Sequence, residues 1–90
     1  MLIILFYDIP KKKKNNNYLR IKKIAEQYLK RVQYSVFEGE LSEAIFKEIT
    51  IRLEDVVNKE IDSIILYSFK SKYYSERKIL GIDKKESMFI

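Results

Sequence analysis

The chain predicts an α+β fold in which helices cover one face of an antiparallel sheet. Three observations carry that prediction. Residues 2–7 and 63–69 are continuous apolar runs rich in β-formers, the pattern of strands covered on both faces. Residues 18–29 and 43–58 instead repeat their apolar side chains at helical spacing. The hydrophobic fraction of 47% is ample for a packed core and too high for disorder.

The first strand stops at Asp8-Ile9-Pro10. Pro10 fixes its own φ and has no N–H to give to a ladder. Residues 11–17 are polar and of low complexity, an exposed loop in which Asn15, Asn16 or Asn17 can cap the next helix. Tyr18, Ile21, Ile24, Ala25 and Tyr28 then form one apolar stripe, with Arg20, Lys22, Lys23 and Lys30 mostly off it. Further on, Val32, Tyr34 and Val36 share one parity, and Phe37 and Leu41 the other. The change between Val36 and Phe37 predicts a bulge or tight bend. No Asn-Gly or Asp-Gly hairpin signal appears, so the residues leave open one kinked strand or two short ones.

Ser42 is a good N-cap, and Glu43 suits the positive end of a helix dipole. Ile45, Phe46, Ile49, Leu53, Val56 and Val57 give the second helix, residues 43–58, its acids facing solvent. After the strand at 63–69, residues 70–76 are polar and residues 78–82 read as a short final strand. Residues 83–87 form a polar turn before Met88-Phe89-Ile90, which is free to pack across a dimer or against a partner protein.

Two strand–helix–strand units of this size most readily give a ferredoxin-like βαββαβ sandwich, here with an extra short C-terminal strand. Residues 1–90 form a single domain with no repeat or linker. The sheet face away from the helices is then bare. Apolar strands on a bare face predict a homodimer that buries it, a common remedy for the thin stability margin of a small domain.

The chain has no cysteine and no histidine. That excludes disulfides, thiolate metal sites, the usual general base and the usual transition-metal ligand. A bound metal should be hard and oxygen-ligated, such as magnesium or manganese. Residues 2–7 are too short to span a membrane and lack the features of a signal peptide, so the expectation is a cytoplasmic protein with no membrane partner. The net charge is +5, and it is unevenly spread. Residues 11–37 hold nine basic side chains against one acid, residues 38–62 eight acids against three bases, and the remainder is basic again. This predicts a positive surface for the backbone of DNA or RNA. The run Lys11, Lys12, Lys13 and Lys14 suits phosphate contact without sequence readout.

Asp8 is the prime candidate for chemistry. It follows an apolar strand directly, where a carboxylate becomes accessible to solvent. Magnesium retains several waters and needs few protein ligands. If two copies bring Asp8 to a two-fold axis, two carboxylates can hold one metal beside a phosphodiester.

Three segments together resemble the CRISPR-associated protein 2 family: Phe6-Tyr7-Asp8-Ile9, Arg20 early in the first helix, and Arg31-Val32-Gln33-Tyr34-Ser35-Val36-Phe37-Glu38-Gly39. The resemblance covers essentially the whole chain in length and element order. It implies two short antiparallel strands in the undecided segment. It also implies that Asp8 is the catalytic metal ligand, that Arg20 and Arg31 handle nucleic acid, and that Tyr7 and Phe37 lie near that site. The implied function is a homodimeric, magnesium-dependent endonuclease of CRISPR spacer acquisition, acting on single-stranded RNA or double-stranded DNA. The alternative it implies is a non-catalytic scaffold that holds DNA between two dimers of the CRISPR-associated protein 1 integrase. A toxin-type ribonuclease of related fold is a third reading.

Two features depart from the family pattern. Pro10 and four lysines follow Asp8, where acids or serine mixed with arginine are usual, and Leu29-Lys30 replaces a glycine often found before the second strand. Both bear on the register around Arg20 rather than on Asp8. Taken by their residue types alone, Phe37, Tyr18 and Tyr28 are core residues, Arg31 is a strand-edge charge, and Gln33 and Ser35 bond backbone at the bend or at the dimer interface. Tyr73 and Tyr74, among Lys70, Lys72 and Arg77, suit interface packing.

Overall fold

The computed structural model describes residues 1–10, 17–71 and 74–82. The elements are β1 (Leu2–Asp8), α1 (Asn17–Tyr28), β2 (Lys30–Gln33), β3 (Val36–Glu40), α2 (Glu43–Val56), β4 (Ser63–Ser71) and β5 (Tyr74–Gly81). They form one sheet in the order β2-β3-β1-β4-β5, with every neighbouring pair antiparallel. This is the expected ferredoxin-like α+β arrangement, with β5 added outside β4.

The two apolar runs, β1 and β4, pair along their whole shared length from Leu2 opposite Phe69 to Asp8 opposite Ser63. Period-2 alternation then sorts β1 between two faces. Ile3, Leu5 and Tyr7 are buried toward the helices, where they meet Phe37, Ile64, Leu66 and Leu80 of the sheet. Ile21, Ile24 and Ala25 of α1 and Ile49 and Leu53 of α2 close this core. Tyr18 and Tyr28 pack at its margin. Arg52 joins the helices by donating to the Tyr28 hydroxyl at 3.0 Å and to the Gln27 side chain.

The opposite parity of β1 carries Leu2, Ile4, Phe6 and Asp8, and no helix among the described residues covers it. Val36 lies opposite Phe6 on one side, and Ile65, Tyr67 and Phe69 lie opposite Phe6, Ile4 and Leu2 on the other. The rings of Phe6 and Tyr67 meet edge to face at 5.8 Å. The open face is therefore apolar in its middle and ends at Asp8.

Residues 30–40 form two short strands joined at Tyr34-Ser35. The irregularity falls between Arg31 and Gln33, at Val32, and not between Val36 and Phe37. Among the described residues no non-glycine residue has a positive φ. The turn is therefore not the left-handed kind that Asn-Gly marks, which is why that signal was absent. The bulge at Val32 supplies the added twist that such a turn lacks.

The last strand is longer than expected, beginning at Tyr74 rather than Lys78. An edge strand needs backbone pairing more than apolar side chains, so residues 74–77 read as polar linker in the sequence. α2 starts as predicted, with the Ser42 hydroxyl accepting from the Ile45 N–H at 3.2 Å, and ends at Val56. The expected lysine loop (11–14), the caps Asn15 and Asn16, residues 72–73 and the C-terminal stretch 83–90 lie outside the described residues.

Gly81 has φ +99°, and a Cβ there would stand 2.0 Å from the Asp62 carbonyl oxygen. Only glycine fits both conditions. Beside it the Ile82 N–H donates to that same carbonyl at 2.8 Å, and the Ser63 hydroxyl donates to the Ile82 carbonyl at 2.6 Å. Among the described residues no helix is long and apolar enough to cross a membrane.

Candidate active site

β1 delivers two adjacent side chains to opposite faces at its end. Tyr7 turns toward the helices and is buried, while Asp8 is exposed on the open face. The Tyr7 ring packs against two others. It meets Tyr18 of α1 edge to face and stacks on Phe37 of β3, both with centroids 6.1 Å away. Its hydroxyl is buried and has no hydrogen-bond partner among the described residues. Burial raises the Tyr7 pKa above the ordinary value of 10.0, Tyr18 adds to the rise, nearby Arg31 opposes it, and Glu26 contributes a further rise. Tyr7 is therefore a neutral phenol at physiological pH.

The β2–β3 turn is fastened to this strand end, because the Tyr7 N–H donates to the Ser35 carbonyl at 3.1 Å. Between turn, strand and the first turn of α1 lies an open depression of about 170 Å³. Tyr7, Asp8, Ile9, Tyr18, Tyr34 and Ser35 line it. Among the described lining residues Asp8 is the only carboxylate. On the rim the Arg31 guanidinium lies over the Tyr34 ring, 5.3 Å from its centroid. Asp8 thus lines a small hollow whose Tyr34 wall carries a cation.

The donor set suits a hard cation. Asp8 and the hydroxyl of Ser35 offer oxygen ligands, which magnesium prefers. Among the described residues no three acidic, cysteine or histidine side chains cluster. A magnesium ion here would rest on Asp8, and waters, a substrate phosphate or a second copy of Asp8 would fill the remaining positions.

The predicted residues are only partly brought together. Asp8 and Tyr7 line the depression, and Arg31 stands beside it only through its contact with the Tyr34 ring. Arg20 is exposed on α1 and is not among the lining residues. Phe37 requires a correction as a nucleic-acid contact. It is 0% exposed, so its ring supports Tyr7 from within the core and offers no surface to a base. Lys11, Lys12, Lys13 and Lys14 lie outside the described residues.

Three lining residues escaped the sequence reading. Tyr18 looked like helix core, Ser35 like a backbone-bonding residue, and Tyr34 like one more strand residue. Only knowledge that the turn falls at Tyr34-Ser35 would have exposed Tyr34. A fourth residue, Asp62, was hidden among the acids of residues 38–62. It is fully buried, and one carboxylate oxygen accepts from the Asn17 side chain at 3.0 Å and the Asn58 N–H at 2.8 Å. This fixes the start of α1, and with it Tyr18, against the turn that precedes β4.

Known proteins resemble this chain in sequence and in fold. Residues 1–77 match the family model described as CRISPR associated protein Cas2. The chain is 38% identical over 86 residues to a protein named CRISPR-associated endoribonuclease Cas2 from Dictyoglomus turgidum, covering 96% of this chain and 94% of that one. It is 34% identical over 90 residues to the protein of the same name from Thermotoga maritima, covering 100% and 99%. Among solved structures it is similar to Streptococcus pyogenes Cas2 at pH 6.5, with TM-score 0.70 and 28% identity, covering 81% of this chain and 90% of that one. A second structure, described as cas2, gives TM-score 0.71 at 36% identity, covering 94% and 91%.

Proposed function

The chain belongs to the CRISPR associated protein Cas2 family, and on that premise we propose that it is a metal-dependent endoribonuclease of a CRISPR system, working as a homodimer. The observation that carries this reading is Asp8, exposed at the end of the open sheet face and at the mouth of the depression. Its relatives are named endoribonucleases. The apolar middle of the open face, Ile4, Phe6, Ile65, Tyr67 and Phe69, is the surface that a second copy would bury. A two-fold axis across that face would bring the Asp8 of each copy toward the other.

In this reading the Asp8 carboxylates hold magnesium, or manganese in its place. The ion, when bound, lowers the pKa of a coordinated water and offsets charge on a phosphodiester. The protein's own groups do the rest. Arg31 opposes the phosphate charge at the rim, and the Ser35 hydroxyl donates to a phosphate oxygen. Tyr7, a neutral phenol at neutral pH, cannot serve as a base, so the proton goes to solvent water or a carboxylate.

The excess of nine bases over one acid in residues 11–37 favours one further reading. A dimer with that surface can hold DNA as a scaffold for the CRISPR-associated protein 1 integrase, with or without cleavage. Cleavage of single-stranded RNA and duplex DNA by the purified protein, with magnesium or with chelator, beside Asp8→Ala, separates the two. The nuclease reading expects magnesium-dependent cutting that Asp8→Ala abolishes. Cutting that survives the substitution, or no cutting at all, would favour the scaffold.

A further inference from the structure

We propose that Tyr34 is a nucleobase-stacking platform for the Asp8 site. This rests on the nuclease reading above and adds to it the residue that binds the base. Tyr34 is 77% exposed, more than any other large hydrophobic side chain given among the described residues. A single exposed tyrosine on a turn is ordinary. This one differs in three ways. Its backbone neighbour Ser35 is tied to β1 by the bond from the Tyr7 N–H, so the turn is fixed relative to Asp8. One ring face carries the Arg31 guanidinium, which holds the ring and leaves the other face to solvent. Tyr34 also lines the same depression as Asp8.

The depression is open and has room beside Asp8 for a phosphate group and its hydration. With its phosphate at Asp8, a nucleotide can lay its base on an aromatic wall of the same depression, and Tyr34 is the most exposed of the three tyrosines that line it. Every base has a π-face, so such a platform tolerates any sequence. A base inside a duplex cannot reach it, because both its faces are already stacked.

The test is binding of single-stranded RNA and duplex RNA, in calcium or chelator to prevent turnover, by the wild type, Tyr34→Phe and Tyr34→Ala. Tyr34→Ala should weaken single-strand binding about tenfold, within the range of one lost base stack, and leave duplex binding unchanged. Tyr34→Phe should stay within about twofold of wild type, since it keeps the ring. An abasic nucleotide placed at each position in turn should weaken wild type at one position and have no further effect there in Tyr34→Ala. Equal single-strand binding by wild type and Tyr34→Ala would overturn the proposal. So would a change in oligomeric state of Tyr34→Ala that accounts for its weaker binding, because Tyr34 would then be an interface residue between copies. Failure of the nuclease reading is seen separately, as absent or Asp8-independent cleavage.

Discussion

Phe37 offers the sharpest separation of a structural role from a ligand contact. It is fully enclosed, lies opposite Leu5 in the β1–β3 register, and stacks on Tyr7. Phe37→Ala leaves a cavity beneath Tyr7 and should cost about 3–5 kcal/mol. A domain of this length has only about 5–13 kcal/mol of stability in total, so the loss is a large share of it. With a urea dependence of about 1–1.5 kcal/mol per molar, the unfolding midpoint should fall by about 2–5 M. Phe37→Leu, which keeps most of the volume, should cost about 1–2 kcal/mol. Tyr34→Ala, on the exposed turn, should change stability by no more than about 0.5 kcal/mol. The assay is equilibrium urea unfolding at one fixed protomer concentration, because dimerisation adds to apparent stability. Phe37→Ala should then lose RNA binding only in proportion to its unfolded fraction. A Phe37→Ala protein with an unchanged midpoint and RNA affinity reduced tenfold would refute this reasoning and make Phe37 a base contact.

Three further outcomes are expected. Gly81→Ala forces a side chain into positive φ against the Asp62 carbonyl, and thermal unfolding should show a loss of at least about 1–3 kcal/mol; an unchanged melting temperature would mean that the β5 end can shift freely. Folded Tyr7 holds its proton more tightly than the unfolded chain does, so its contribution is complete below pH 10.0 and is lost as pH rises above it. Tyr7→Phe removes a hydroxyl that has no partner among the described residues, so urea unfolding should find it no less stable at neutral pH and less sensitive above pH 10.0; a marked loss at neutral pH would contradict the buried, unbonded hydroxyl. Replacing Lys11, Lys12, Lys13 and Lys14 by alanine should flatten the slope of log affinity against log salt on a single strand by up to about 2.8, and an unchanged slope would remove these lysines from the phosphate path.

The strongly patterned parts of the fold were legible in the sequence. β1 and β4 announce themselves as apolar runs, the first ended by Pro10, and α1 and α2 as apolar stripes, the second opened by Ser42. The β2–β3 hairpin was not, because its turn uses no positive φ and so needs no glycine or asparagine. The first half of β5 was hidden for a different reason: an edge strand held by backbone pairing can be polar throughout. In the candidate site, Asp8 was legible from its position after an apolar strand. Tyr34 and Asp62 were not, since their importance comes from neighbours distant in sequence, β1 for the one and Asn17 for the other. Phe37 shows the reverse case, a residue tied to the site by resemblance whose physical place is beneath it.

The central claim is that Asp8 of two copies serves one cleavage site. The most direct test is the rate of single-stranded RNA cleavage in magnesium by wild type and Asp8→Ala refolded together in varying proportion. If both carboxylates are required, the rate should fall as the square of the wild-type fraction, to about a quarter at equal amounts. A straight-line fall, to about half at equal amounts, would mean that each copy cuts with its own Asp8 and would contradict the shared site.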